Sequence, residues 1–198
     1  MLFTFFVHKV PGLANNIRQN DLTNVGFQLV YNFPYNHVTT RAEILNIRSQ
    51  CNASTLMCVG GSDSINDPFT LRVVACANCL SVTTQTSLNQ PMFYGAAYWY
   101  FTDDQSFGFS PTNTITQTSA DTTDLNSNLR VSWHLSGTGG WRLGNITDLN
   151  NDLNYYKKIF INTPFTTTTT FYPTTTTTTT TASSCESLYF LFAFYFIY

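Results

Sequence analysis

The amino-acid sequence predicts an all-β chain with one short helix: an antiparallel β-sandwich or jelly-roll-like domain followed by a disordered Thr-rich stalk. Three observations carry that expectation. Apolar and polar residues alternate over short runs, which is the period of a half-buried strand. Turn-forming Gly, Asn, Asp and Pro separate those runs. Only one stretch has helical spacing, whereas a parallel α/β sheet needs a helix between most strands. The folded part is expected at residues 26–162, between an N-terminal segment 1–25 and a Thr-rich stretch 163–187 that leads into a hydrophobic tail, 188–198.

Taken in order, Leu2 to Val7 form an apolar run without a basic flank or a small-residue cleavage site, and Lys9 interrupts it, so it falls short of a full signal peptide and reads as a truncated signal region. Residues 13–24 are polar and receive no assignment. Phe27, Leu29 and Tyr31 alternate with Gln28, Val30 and Asn32 as a strand that Pro34, which lacks an amide hydrogen, brings to an end. Thr40 and Glu43 have the spacing of a capping box, and Ile44, Ile47 and Cys51 follow at helical intervals, so a helix is expected over 41–50. Strands are expected over 56–59 and 71–77 with a Gly-, Asn- and Asp-rich turn between them, and 80–84 extends or follows the second. Ala97, Trp99 and Phe101 alternate with Tyr98 and Tyr100 in a dense aromatic strand. Residues 106–110 form a short strand in which Gly108 marks a bulge or a close backbone approach. A weaker strand is expected over 114–118, and a last one over 155–161.

Between these lies the most regular stretch, Leu129 to Gly144. Leu129, Val131, Trp133 and Leu135 alternate with Arg130, Ser132 and His134; a Ser-Gly-Thr-Gly-Gly loop follows, and Trp141 and Leu143 resume the pattern around Arg142. This is a β-hairpin with one apolar face. Its polar face would gather Arg130, His134 and Arg142 near exposed aromatics, Tyr98 or Tyr100. Aromatic rings beside hydrogen-bonding side chains suit a sugar, so these five residues are the expected ligand-binding set.

Composition narrows the function further. Charged residues make up only 10% of the chain and the net charge is −2, so no cluster of Lys and Arg is available for phosphate, and nucleic acid is not an expected partner. Asn52 and Asn145 begin N-glycosylation sequons. Five threonines from Thr166 and eight more from Thr174 have no apolar face, which reads as an O-glycosylated stalk or a plain linker. The apolar tail from Leu188 to Tyr198 is too short to span a bilayer as a helix, but fits a truncated membrane segment or lipid-anchor signal, hence a membrane tether.

Cys51, Cys58, Cys76 and Cys79 fall within thirty residues, with Cys185 left over in the tail. Four thiolates could bind zinc, but the spacing is not that of a zinc ribbon; redox chemistry would want the first cysteine of the Cys76–Cys79 pair at a helix start, and that pair ends a strand. Structural disulfides in an extracellular compartment are therefore expected, with the connectivity open. Ser132, His134 and Asp121 or Asp124 have the residue types of a hydrolase triad, but no Gly-x-Ser-x-Gly elbow is present, and no enzymatic activity is expected. No cofactor is expected, calcium alone remaining an option, through Asp103 with Asp104, Asp121 with Asp124, or Asp148 with Asp152. The Asp124-Leu-Asn-Ser-Asn128 run departs from an EF-hand at Leu129 and Leu135.

The string YWYFT…SFGFSP…RVSWHL…GGWRLG…LN…YYKKI, from Tyr31 to Ile161 in its full extent, resembles an extracellular β-module with the pattern RLSWH…GGWR-G…LN…YYK-I. The resemblance implies a recurrent secreted domain and transfers no catalytic residue. The expected function is thus a secreted or cell-surface ligand-binding module, with an extracellular glycan as first partner; the alternative is an adhesion or surface-coat module working through contacts with a surface protein.

Overall fold

The computed structural model describes residues 10–88, 90–102, 105–115 and 127–162. The chain runs β1 (Leu13–Arg18), α1 (Gln19–Thr23), β2 (Gln28–Pro34), α2 (Arg41–Arg48), β3 (Leu56–Asp63), β4 (Asp67–Asn78), α3 (Cys79–Val82), β5 (Met92–Tyr94), β6 (Ala97–Phe101), β7 (Ser106–Ser110), β8 (Val131–His134), β9 (Arg142–Leu143) and β10 (Tyr155–Asn162). These strands form two five-stranded antiparallel sheets, in the orders β1-β4-β3-β10-β2 and β5-β6-β7-β8-β9. The second is a meander of consecutive strands. The first threads β10 between β3 and β2, so the chain closes back on its beginning.

The main core lies between the sheets. Met57, Val59, Val73, Ala75, Ile159 and Ile161 of the first sheet meet Trp99, Phe101, Phe107, Phe109, Val131, Trp133 and Leu143 of the second. Each apolar side chain of this size gives about 1.5–3 kcal/mol on full burial, which is why so weakly charged a chain folds around its aromatics. A second cluster, Leu22, Phe27, Cys58, Leu71, Val74, Cys76 and Phe160, covers the other face of the first sheet beneath α1. With both faces covered, β3 and β4 lose the alternation that marks a one-sided strand.

That two-sided burial explains where local pattern and structure part. Residues 60–63 belong to β3, not to the turn, because a Cβ on Gly61 would meet the Tyr156 carbonyl at 2.6 Å and Leu143 Cδ1 at 2.8 Å. Glycine is there to let the second sheet approach. Residues 79–82 are a one-turn helix, α3, whose first amides are capped by Asn78 Oδ1 accepting from Ser81 N at 3.1 Å, rather than an extension of the strand. Residues 13–23 form β1 and α1, giving three helices among the described residues in place of one. Leu29 is 37% exposed instead of facing inward with Tyr31, because the β2–β10 register shifts between Ile159 and Phe160.

Other local signals match the structure. The Thr40 hydroxyl accepts from Glu43 N at 3.2 Å and Glu43 Oε2 accepts from Thr40 N at 2.6 Å, so the capping box starts α2. Disulfides join Cys51 to Cys79 and Cys58 to Cys76; the second pair stands directly opposite in the β3–β4 register. These bonds leave no thiolate among the four for zinc or redox chemistry, and are of the kind found in extracellular proteins. Thr114 and Ile115 lie outside any strand, while 116–118, the Thr-rich stretch, the hydrophobic tail and Cys185 fall outside the described residues.

Candidate functional site

The hairpin and the aromatic strand share one sheet, and their register brings the expected set together. Tyr98 stands opposite Ser110, Tyr100 opposite Gly108, Gly108 opposite Ser132, Ser106 opposite His134 and Ser132 opposite Arg142. All point away from Trp99, Phe107 and Trp133, and so lie on the outer face of the second sheet.

That face is not open to a ligand as its polarity suggested. Tyr100 is 0% exposed and its hydroxyl donates to the Val131 carbonyl at 2.7 Å, so it offers no exposed ring. Arg130 is 2% exposed. It donates to Ser110 Oγ at 2.8 Å, the Thr114 carbonyl at 3.0 Å and Thr112 Oγ1 at 3.1 Å, because the segment leaving β7 folds over it. Arg142 is 0% exposed, with Nε donating to the Gly144 carbonyl at 2.8 Å. Tyr98 and His134 alone of the five are partly exposed; Tyr98 packs on Phe93 at 5.0 Å, and His134 Nδ1 is 2.6 Å from Thr138 Oγ1. Ser132 is fully buried, and its hydroxyl has no partner.

The glycine loop of the hairpin is likewise absorbed into the fold. Lys157, fully buried on β10, donates to the carbonyls of Gly139 (2.8 Å) and His37 and to Thr39 Oγ1 at 2.7 Å, with its ammonium over the Tyr35 and Trp133 rings. Burial pushes this lysine down to about 7, against the opposing pull of the Glu43 charge. Tyr35 completes the joint: its hydroxyl accepts from Trp133 Nε1 at 3.1 Å and donates to the Arg142 carbonyl at 2.8 Å.

A different place is built open. β1 pairs with β4 through Asn15 opposite Val73 and Ile17 opposite Leu71, and between them Asn16 turns into the left-handed region at φ 53°. On the other side of β4 the ladder passes from Gly61–Val73 directly to Ser62–Leu71, leaving Arg72 as the extra residue of a bulge. Bulges re-aim side chains, and left-handed non-glycine residues persist where the surroundings enforce them. Arg72 thereby becomes the wall between two small clefts. The first, of about 190 Å³, is lined by Asn15, Asn16, Arg72, Asn128, Leu143, Gly144 and Asn145; the second, of about 160 Å³, by Asn16, Asp63, Asn66, Asp67, Thr70 and Arg72.

Arg72 is 40% exposed and reaches Asp63 Oδ2 only at 3.4 Å, with its guanidinium 5.6 Å from the Tyr155 ring. Its Nε is shielded from solvent and has no acceptor. Asp63, by contrast, is saturated: it accepts from Ile65 N and Asn66 N at 3.0 Å each and from Asn66 Nδ2 at 2.7 Å. Burial alone would raise its carboxyl; the bonds from Asn66, Ile65 and Arg72 outweigh that and hold it below the ordinary aspartate value. A carboxylate so engaged is a poor calcium ligand.

No group of three or more His, Cys, Asp or Glu is placed for a metal among the described residues. Asp148 is a left-handed turn residue, Asp152 Oδ1 accepts from Asn154 N at 2.6 Å, and Asp103, Asp104, Asp121 and Asp124 fall outside the described residues. Both sequon asparagines are exposed. Asn52 Oδ1 accepts from Ser54 N at 2.9 Å in a turn after α2, and Asn145 lines the first cleft.

Sequence patterning did not single out Arg72, Asn15, Asn16 or Asn128. One signal was available: Arg72 is a lone charge in the apolar run Leu71-Arg-Val-Val-Ala75. Compared with protein-family models, with curated proteins and with solved structures, the chain matches none.

Proposed function

We propose that this chain is a secreted or cell-surface module that binds carbohydrate, without catalysis, in the paired clefts at Arg72. The observation that carries this reading is the bulge that presents the partly exposed side chain of Arg72 between two polar clefts. Each cleft is smaller than the ~300–1,000 Å³ of a drug-sized site, which suits one compact polar unit in each. Carboxamides, a hydroxyl and a guanidinium match sugar hydroxyls, which both donate and accept. The two disulfides, the Asn52 sequon and the threonine tract support an extracellular setting with a glycosylated stalk and a tail tether, while Asn145, in the first cleft, serves as a ligand contact and carries no glycan.

A glycan array probed with the disulfide-intact chain, with and without Ca²⁺, tests the proposal. Binding to a defined sugar class that Arg72→Gln removes supports it, and an array without binding overturns it. A second reading, adhesion through protein contacts, draws on exposed apolar side chains near the β3–β4 turn: Ile65, Phe69 and Leu153 are 67%, 63% and 62% exposed, and Ser64 N donates to Asn154 O at 2.6 Å, tying the two loops together. In a pull-down from surface extracts, elution by free sugar separates the carbohydrate reading from this one.

A further inference from the structure

The two clefts differ in charge although they share Arg72 and Asn16. Among the described residues that line the first side, Arg72 is the one charged group, and Asn15, Asn128 and Asn145 line it with their carboxamides. On the second side stand Asp63 and Asp67 with Asn66 and Thr70. A guanidinium recognises a carboxylate by two parallel N–H···O bonds, ordinarily about 2.7–2.9 Å long. The single 3.4 Å hydrogen bond from Arg72 Nη2 to Asp63 Oδ2 is longer than that, and Asp63 is already held by Ile65 and Asn66, so the fork of Arg72 is only weakly engaged, through one nitrogen.

Resting on the carbohydrate reading, we infer that the sugar unit bound in the first cleft carries a carboxylate seated on Arg72, and that the unit in the second cleft is neutral. The orientation follows from repulsion: the reverse placement would put the acid against Asp63 and Asp67. The carboxamides opposite Arg72 donate to the same carboxylate or accept from neighbouring hydroxyls. A uronic acid and a sialic acid share this chemistry.

Calorimetric titration of the full chain with glucuronic acid, N-acetylneuraminic acid, glucose and glucose 6-sulfate tests the inference. One of the two carboxylated sugars is expected to bind about tenfold more tightly than glucose and more tightly than the sulfate, the tenfold being the effect of one charge-assisted contact. Arg72→Lys keeps the charge but not the fork, and is expected to lose most of the preference; Arg72→Gln is expected to lose all of it. Asn145→Ala, at an exposed position away from Asp63, weakens acid binding severalfold and serves as the second probe if the Arg72 variants do not fold. Equal binding of glucose and both acids overturns the inference and leaves the carbohydrate reading standing, whereas no binding of any sugar, here and on the array, overturns both.

Discussion

The outer face of the second sheet and the clefts at Arg72 are made of similar side chains, arginines among hydroxyls and amides, yet the chain treats them in opposite ways. Arg130 spends its donors on Ser110, Thr112 and Thr114 and is buried beneath the segment that carries them. Arg72 has one long contact with Asp63, a side chain 40% exposed and a cleft on either side. The first arrangement is internal structure that happens to be polar. The second is displaced from its ladder, bounded by empty space and left with bonding capacity. Residue types that converge on one face therefore do not distinguish a binding site from a satisfied surface; an exposed charged group beside a cavity does.

The sharpest way to break this contrast is Arg130→Met. Hydrogen bonds from a charged group contribute about 1.5–3 kcal/mol apiece before compensation, so losing the three from Arg130 is expected to cost roughly 3 kcal/mol, read as a lowered urea midpoint at unchanged slope. Sugar binding by the folded fraction is expected to stay as it was. If Arg130→Met proves as stable as the parent and loses its ligand, the outer face is the site and the assignment to Arg72 fails.

Much of the scaffold around this contrast was legible. The alternation through Trp99 and Trp133 identified inward-facing strands, the Thr40–Glu43 pair identified the start of a helix, and the four clustered cysteines identified disulfides, because each depends on neighbours in sequence. Gly60 and Gly61 were misleading, since the reason for them is contact with β4, β10 and Leu143, far along the chain. The same holds for function. Period two placed Arg130, His134 and Arg142 on one face, but what later folds over that face is not a local property. The Arg72 clefts arise where β3 slips against β4 while β1 keeps a constant register with β4, and no single segment encodes them.

Titration offers a subtler test, because the two regions have different buried charges beside them. Asp63 and Glu43 are held below the ordinary carboxylate value; in each, burial acts in the raising direction and is outweighed by hydrogen bonds, from Asn66, Ile65 and Arg72 to the one and from Thr40 and His37 to the other. Below about pH 4 the unfolded chain binds more protons than the native one, so their contribution to stability, fully present above that range, is lost as the pH falls. Lys157 acts at the other end. Its native value of about 7 lies below that of an unfolded lysine, so between about pH 7 and 10 the unfolded chain again holds more protons, and stability rises with pH. Urea denaturation across pH should show Asp63→Asn flattening only the acid limb and Lys157→Met only the alkaline one. An acid limb unchanged in Asp63→Asn would mean that the carboxylate facing Arg72 is not held as its bonds imply.

The smallest expected effect decides what remains of the outer face as a platform for sugars. Tyr98 is the aromatic there that stays partly exposed, packed at 5.0 Å on a Phe93 that is itself 56% exposed. An aromatic pair of this kind contributes about 0.5–1.5 kcal/mol beyond its buried area, and at so open a position the lower end applies, so Tyr98→Ala should shift the melting temperature by only a few degrees. Ligand affinity should not move, because Tyr98 lines neither cleft. A loss of sugar binding in Tyr98→Ala with Arg72→Gln left unaffected would reverse the comparison: the exposed rings would then carry recognition, and the bulge at Arg72 would be a structural accommodation between two strands of unequal register.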